Sequence, residues 1–141
     1  LLFYLEDFGL PEYIRKPSAD ETIQSLLMRS NMLITDFSSI AFDMGVMGRA
    51  VLYYQFESFE SFLEAQNRQT SYFDPNLHGF GPVCSNQAEL FKNIESLLEK
   101  NCKPQLEYVE RMRTTFDLGG SSCCRQVIAS IESIYPHART V

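Results

Sequence analysis

The sequence has no uninterrupted apolar run of about 18 residues, so no part of it reads as a membrane-spanning helix. Cations are in short supply. Twelve Lys and Arg stand against eighteen Asp and Glu, a net charge of −6. Phosphate backbones are gripped mainly by clustered cations, and a nucleic-acid partner is excluded on that ground. His78 and His137 are the only two histidines and lie far from any ligand-like spacing. The four cysteines, Cys84, Cys102, Cys123 and Cys124, form no CxxC pair, so a zinc centre has no support and no metal or cofactor is expected. Cys123 and Cys124 fall within a helical pattern, where adjacent side chains diverge, which fits reduced thiols in a cytosolic setting. The opening Leu1-Leu2-Phe3-Tyr4-Leu5-Glu6-Asp7 lacks the basic flank of a signal peptide. Leu1 in place of Met, and a start in mid-pattern, lead us to expect a piece of a longer protein. Internal repeats and low-complexity segments are missing as well.

What is present is a core. At 141 residues with 45% apolar content, the chain is one domain by size and can bury a sizeable interior. Its most informative stretch is Met32-Leu33-Ile34-Thr35-Asp36-Phe37-Ser38-Ser39-Ile40-Ala41-Phe42-Asp43. A short apolar run with a β-branched centre suits a buried strand, and Asp36, Ser38 and Ser39 are cap-forming types placed where a helix would begin. Unpaired N–H groups there would face whatever lies beyond the strand's carboxyl end, and phosphate is the natural guest.

The same reading along the chain places helices at Asp20–Arg29 and about Ser39–Met47, and strands at Met32–Thr35 and Ala50–Tyr54. Gly45 costs the second helix some propensity, and Gly48 is its stop. Glu12-Tyr13-Ile14 could close an earlier short strand. Two strands joined by a helix make a βαβ unit and feed a parallel sheet. Past Gln55-Phe56-Glu57 the pattern loosens through Phe59, Phe62, Tyr72 and Phe73 to Gly81-Pro82, with a short strand at Val83-Cys84. Helices follow at Asn86–Lys100, Pro104–Thr115 and Ser121–Tyr135, and residues 136–141 read as a frayed tail.

Ile34-Thr35-Asp36-Phe37-Ser38-Ser39 with Phe42-Asp43, then Gly48-Arg49-Ala50-Val51-Leu52-Tyr53-Tyr54, Tyr72-Phe73-Asp74 and Gly81-Pro82-Val83, resembles the carboxy-terminal part of the CDP-glycerol glycerophosphotransferase family. Those are bacterial enzymes that polymerise teichoic acids and related capsule phosphates. The resemblance covers roughly residues 13 to 135, and its signature is T-D-F/Y-S-S-x-x-F-D. Ala50 departs from it, standing where a proline is expected before the strand.

The resemblance implies the carboxy-terminal, Rossmann-like domain of a GT-B type transferase, a parallel sheet flanked by helices that holds a CDP-linked donor. Residues 1–135 would be this donor-binding domain. Ser38 and Ser39 match donor-contacting serines, and Asp43 matches an acid one turn on that lines the donor site. Asp36, next to them, could belong to the site or brace the loop. The catalytic histidines of the family lie upstream, and neither His78 nor His137 matches their motif. The implied reaction passes glycerol phosphate, or a related polyol phosphate, to a growing polymer, with no metal needed to hold the pyrophosphate. A missing amino-terminal domain would carry the acceptor site and the base, so the isolated piece would be inactive. The setting would be cytoplasmic, with any contact to the inner face of the membrane made by the absent part. A lone half with an exposed apolar cleft wall could form a homo-oligomer.

The residues keep other readings open. Ser38 and Ser39 could only cap a helix, and Asp43 could be a solvated acid. Arg49 could reach a phosphate or pair with a helix carboxylate. Tyr53, Tyr54 and Phe56 could form a shelf for cytosine or pack in the core. His78 could act as a base or be a surface histidine in a loop. A GT-B glycosyltransferase or epimerase acting on a sugar nucleotide would share the strand, loop and helix. A non-catalytic domain docking a partner through the acidic helices from Asn86 to Tyr135 would need no nucleotide at all.

Overall fold

The structure, a computed structural model, describes residues 13–56, 61, 73–116 and 123–135. Its elements run α1 (Ile23–Arg29), β1 (Met32–Thr35), α2 (Ile40–Val46), β2 (Ala50–Tyr54), α3 (Pro75–His78), β3 (Val83–Cys84), α4 (Gln87–Glu99), α5 (Leu106–Thr115) and α6 (Cys123–Ile134). The strands form a parallel sheet in the order β1-β2-β3. Met32 pairs with Ala50 and Thr35 with Tyr53, while Tyr53 and Tyr54 pair with Val83 and Cys84. Fold class and sheet direction are therefore those expected from the βαβ pattern.

Side chains alternate along a strand, and β2 uses both faces. Val51 and Tyr53 join Leu27 of α1, Ala41 and Met44 of α2, Phe80 and Met112 of α5 in one cluster. Ala50 and Leu52 pack on the opposite side with Leu97, Leu90 and Ile94 of α4. A strand buried on both faces is what a central parallel strand requires, and it explains why β2 reads as a continuous apolar run. Ile34 of β1 shares a face with Leu52 yet is 45% exposed.

Two glycines are fixed by geometry. Gly48 adopts φ +66°, the left-handed turn that stops α2 and releases the chain into β2. Gly81 lies so close to β2 that a Cβ there would sit 1.7 Å from the carbonyl oxygen of Val51. Gly45, the weak point in the helical pattern, lets α2 close on the rings of Phe80 and Phe116.

Several boundaries differ from expectation. α1 begins at Ile23 because the Thr22 side chain accepts the Ser25 N–H at 3.1 Å, making Thr22 the cap. The preceding Ser18–Glu21 stretch is a separate turn, closed by the Glu21 N–H to Ser18 O bond. Tyr13 and Ile14 are not in a strand. α3 was not expected. It is a single turn started by Asp74, whose carboxylate accepts the Asn76 N–H at 2.8 Å, with Pro75 at the first helical position. Glu12, Phe59, Phe62, Tyr72, Ser121, His137 and the expected tail at 136–141 lie outside the described residues.

Candidate functional site

All three strands of a parallel sheet end on one edge, which is where open α/β folds bind ligands. Here β1 runs out into Asp36-Phe37-Ser38-Ser39, β2 into Gln55-Phe56 and β3 into Ser85-Asn86. Asp36, Ser38 and Ser39 are all exposed and are brought together by one tight turn. Asp36 Oδ1 accepts the Ser38 N–H at 3.1 Å, so its carboxylate braces the loop. Ser38 Oγ receives the Ile40 N–H in a long, weak contact of 3.4 Å. Ser39 already has helical backbone angles, φ −65° and ψ −11°, and its side chain makes no capping bond. Capping accounts for Ser38 in part and leaves the Ser39 hydroxyl uncommitted.

Asp43 lies on the same side of α2 as Ser39, one turn further on, and is exposed. Phe42 beside it turns inward, with ring centroids 4.9 Å from Phe73 and 5.3 Å from Phe80. Asp43 instead borders a groove of about 180 Å³ between α1 and α2 that is mostly apolar, lined by Ile23, Leu27, Met28, Val46 and Met47 with Gln24 as its other polar residue. The structure thus unites Asp36, Ser38 and Ser39, and sets Asp43 at the margin of that group.

Arg49 takes neither of the roles expected of it. Its Nη1 donates to the carbonyls of Leu27, at 2.9 Å, and Ser30, closing the carboxyl end of α1. Leu27 O also accepts the Ser30 N–H at 3.1 Å, so the cation adds a second donor there and complements the helix dipole. Tyr53 is not part of an aromatic shelf: it is buried, and its hydroxyl accepts the Phe80 N–H at 3.3 Å. Burial pushes its phenol above the ordinary value. Tyr54 and Phe56 do approach each other at the strand end, with centroids 6.0 Å apart.

His78 is exposed and ends α3 rather than standing in a loop. Its Nδ1 accepts the Asp74 N–H at 3.0 Å, which leaves the proton on Nε2. Cys84, Cys102 and Cys124 are free thiols, and burial raises the Cys84 thiol above its usual range. At the end of β3, Glu89 accepts from the Ser85 N–H at 3.0 Å and the Ser85 hydroxyl at 3.1 Å. Those bonds hold its carboxyl below the usual value. Among the described residues no group of three or more His, Cys, Asp or Glu is placed to hold a metal ion, and no helix is long and apolar enough to cross a membrane.

One residue of this edge was passed over in the sequence. Gln55 is 7% exposed, and its Nε2 has no hydrogen-bond partner among the described residues. The available signal was a polar residue placed directly after five apolar strand residues.

Parallel strands, helices on both faces and a polar turn at the strand ends define an open α/β domain. The chain belongs to the CDP-glycerol:poly(glycerophosphate) glycerophosphotransferase family, whose model matches residues 5–132. It is 31% identical over 110 residues to the minor teichoic acid biosynthesis protein GgaB of Bacillus subtilis (strain 168), a match covering 78% of this chain and 12% of that protein. It is 30% identical over 105 residues to the teichoic acid glycerol-phosphate transferase of Staphylococcus aureus (strain NCTC 8325 / PS 47), covering 74% of this chain and 25% of that one. The chain thus spans a quarter or less of the length of these relatives. No solved structure matches it significantly.

Proposed function

We propose that this chain is the donor-binding part of a transferase that moves glycerol phosphate, or a related polyol phosphate, from a CDP-linked donor to a teichoic-acid-like or capsular polymer. Membership of the glycerophosphotransferase family over residues 5–132 carries this reading. The uncommitted Ser39 hydroxyl at the carboxyl edge of the sheet supports it.

In this reading residues 1–135 are the Rossmann-like, carboxy-terminal half of a GT-B architecture. Ser38 and Ser39 give hydroxyl and backbone donors to the donor's phosphate oxygens. Asp36 holds the turn in shape, and Asp43 accepts from a glycerol or ribose hydroxyl. An acceptor hydroxyl attacks the phosphorus that bears the glycerol, the bond to CMP breaks, and a base takes the hydroxyl proton. The base and the acceptor site belong to an amino-terminal domain, so this domain alone would bind without turning over. The work is done at the cytoplasmic side of the membrane, where the nucleotide donor is found.

Thermal unfolding of the intact protein with CDP-glycerol, CMP and UDP-glucose, in wild type and Ser39→Ala, tests the reading. A ligand at about 100 times its Kd stabilises the native state by about 2.7 kcal/mol. Cytidine ligands should raise the transition, and Ser39→Ala should remove most of that rise. Equal stabilisation by UDP-glucose would favour a sugar-nucleotide enzyme, and no shift from any nucleotide would overturn donor binding.

A further inference from the structure

Gln55 continues the β2 ladder, its N–H donating to Cys84 O at 2.9 Å. Its side chain is more than nine-tenths buried, and Nε2 finds no acceptor among the described residues. Buried polar groups are nearly always paired, because an unpaired one forfeits its hydrogen bonds to water. Leu or Met would fill the same space without that cost, so an amide here calls for an acceptor that arrives with a ligand.

Its position indicates which one. Strand side chains alternate, and Val51 and Tyr53 pack with Ala41 and Met44 of α2. Gln55 has their parity and faces that side of the sheet, the side on which Ser38 and Ser39 open α2. Thr35 pairs with Tyr53, so Gln55, two residues on, is level with the turn that Asp36 braces. Neighbouring strands are about 4.8 Å apart, a distance a glutamine side chain spans. The nearest cation in sequence, Arg49, is committed to the end of α1.

We infer that Gln55 is a specificity-determining residue for the donor, its amide donating to a phosphoryl oxygen at the phosphate–polyol end of the nucleotide-linked substrate. The inference rests on the donor reading of Ser38 and Ser39. An N–H aimed at an anionic oxygen makes a short, charge-assisted bond. Ser39 and Gln55 then grip one phosphoryl group from two adjacent strand ends, with neutral donors in place of cations.

Gln55→Leu and Gln55→Glu in the intact protein test it, by calorimetric titration with CDP-glycerol and with cytidine and by thermal unfolding without ligand. The expected result for Gln55→Leu is an unliganded midpoint at or above wild type and an affinity for CDP-glycerol about tenfold weaker, with cytidine unaffected. Gln55→Glu keeps the shape but turns a carboxylate toward the phosphate, and should weaken CDP-glycerol further still. A Gln55→Leu protein that loses unliganded stability while binding CDP-glycerol normally would overturn the proposal, since the amide would then be structural. Failure of both variants to fold would overturn it for the same reason, and so would an equal loss of cytidine affinity. Wild-type protein that ignores CDP-glycerol would refute the donor reading itself. Wild-type binding matched by both variants would refute only the role of Gln55.

Discussion

Gly81 sits in the Gly81-Pro82-Val83 segment that resembles the family pattern, and the structure gives it a mechanical role that Gly81→Ala would expose. The added Cβ would lie 1.7 Å from Val51 O and 2.6 Å from Val51 C, whereas real Cβ atoms essentially never come within 3.0 Å. Both partners are backbone, so the chain entering β3 must move away from β2. That movement stretches the Tyr53 N–H bond to Pro82 O, now 3.0 Å, and the Phe80 N–H bond to the Tyr53 hydroxyl, now 3.3 Å. Each contributes about 1 kcal/mol. Phe80 itself is fully buried and packs 5.2 Å from the Phe116 ring, and its displacement opens space in the main cluster. Together these losses amount to roughly 3–4 kcal/mol. Against a total stability of about 5–15 kcal/mol, that is a severe loss.

Gly48→Ala supplies the contrast. Among the described residues nothing lies within 4 Å of a Cβ there, but φ is +66°, so the expected cost is left-handed backbone strain of about 1 kcal/mol. Equilibrium urea unfolding followed by far-UV circular dichroism measures both variants against wild type, with a shared slope confirming comparable denatured states. A Gly81→Ala protein within about 1 kcal/mol of wild type, or one less perturbed than Gly48→Ala, would refute the close-approach argument.

Two more expectations follow from the same hydrogen-bond network. Arg49→Met keeps the aliphatic stem but removes the guanidinium bonds to the carbonyls of Leu27, which keeps the Ser30 N–H, and Ser30, and should cost about 1–2 kcal/mol in urea unfolding with CDP-glycerol affinity unchanged; reduced affinity at unchanged stability would return Arg49 to the phosphate. The Glu89 carboxyl, depressed below 4.5 by the Ser85 N–H and hydroxyl, adds stability that is present above pH 4.5 and lost as pH falls through its folded value. The gap between wild type and Glu89→Gln in urea midpoint should therefore narrow on acidification, and a gap constant with pH would show that the Ser85 bonds do not favour the ionised form.

The division between what the residues announced and what they concealed follows the range of the interactions involved. β1 and β2 emerged with their observed ends because each is a short run of consecutive apolar residues bounded by polar or glycine breaks, although only β2 is buried on both faces. α1 was drawn three residues too early because Asp20 and Thr22 are both capping types, and only the Ser25 N–H decides between them. α3 escaped notice because one helical turn is too short to show a period, and its signals are the cap at Asp74 and the proline after it. Arg49 was misread for a different reason: its partners, Leu27 and Ser30, lie 22 and 19 residues away in sequence, and local charge pattern carries no trace of them. Ser39 had the composition of a cap, yet its backbone is already helical, so the side chain is released from the duty that its type suggests. Gln55 lies deepest of all, since what marks it is a missing partner. A sequence can show a polar residue at the end of an apolar strand, but only the packed structure shows that its Nε2 meets no acceptor among the described residues.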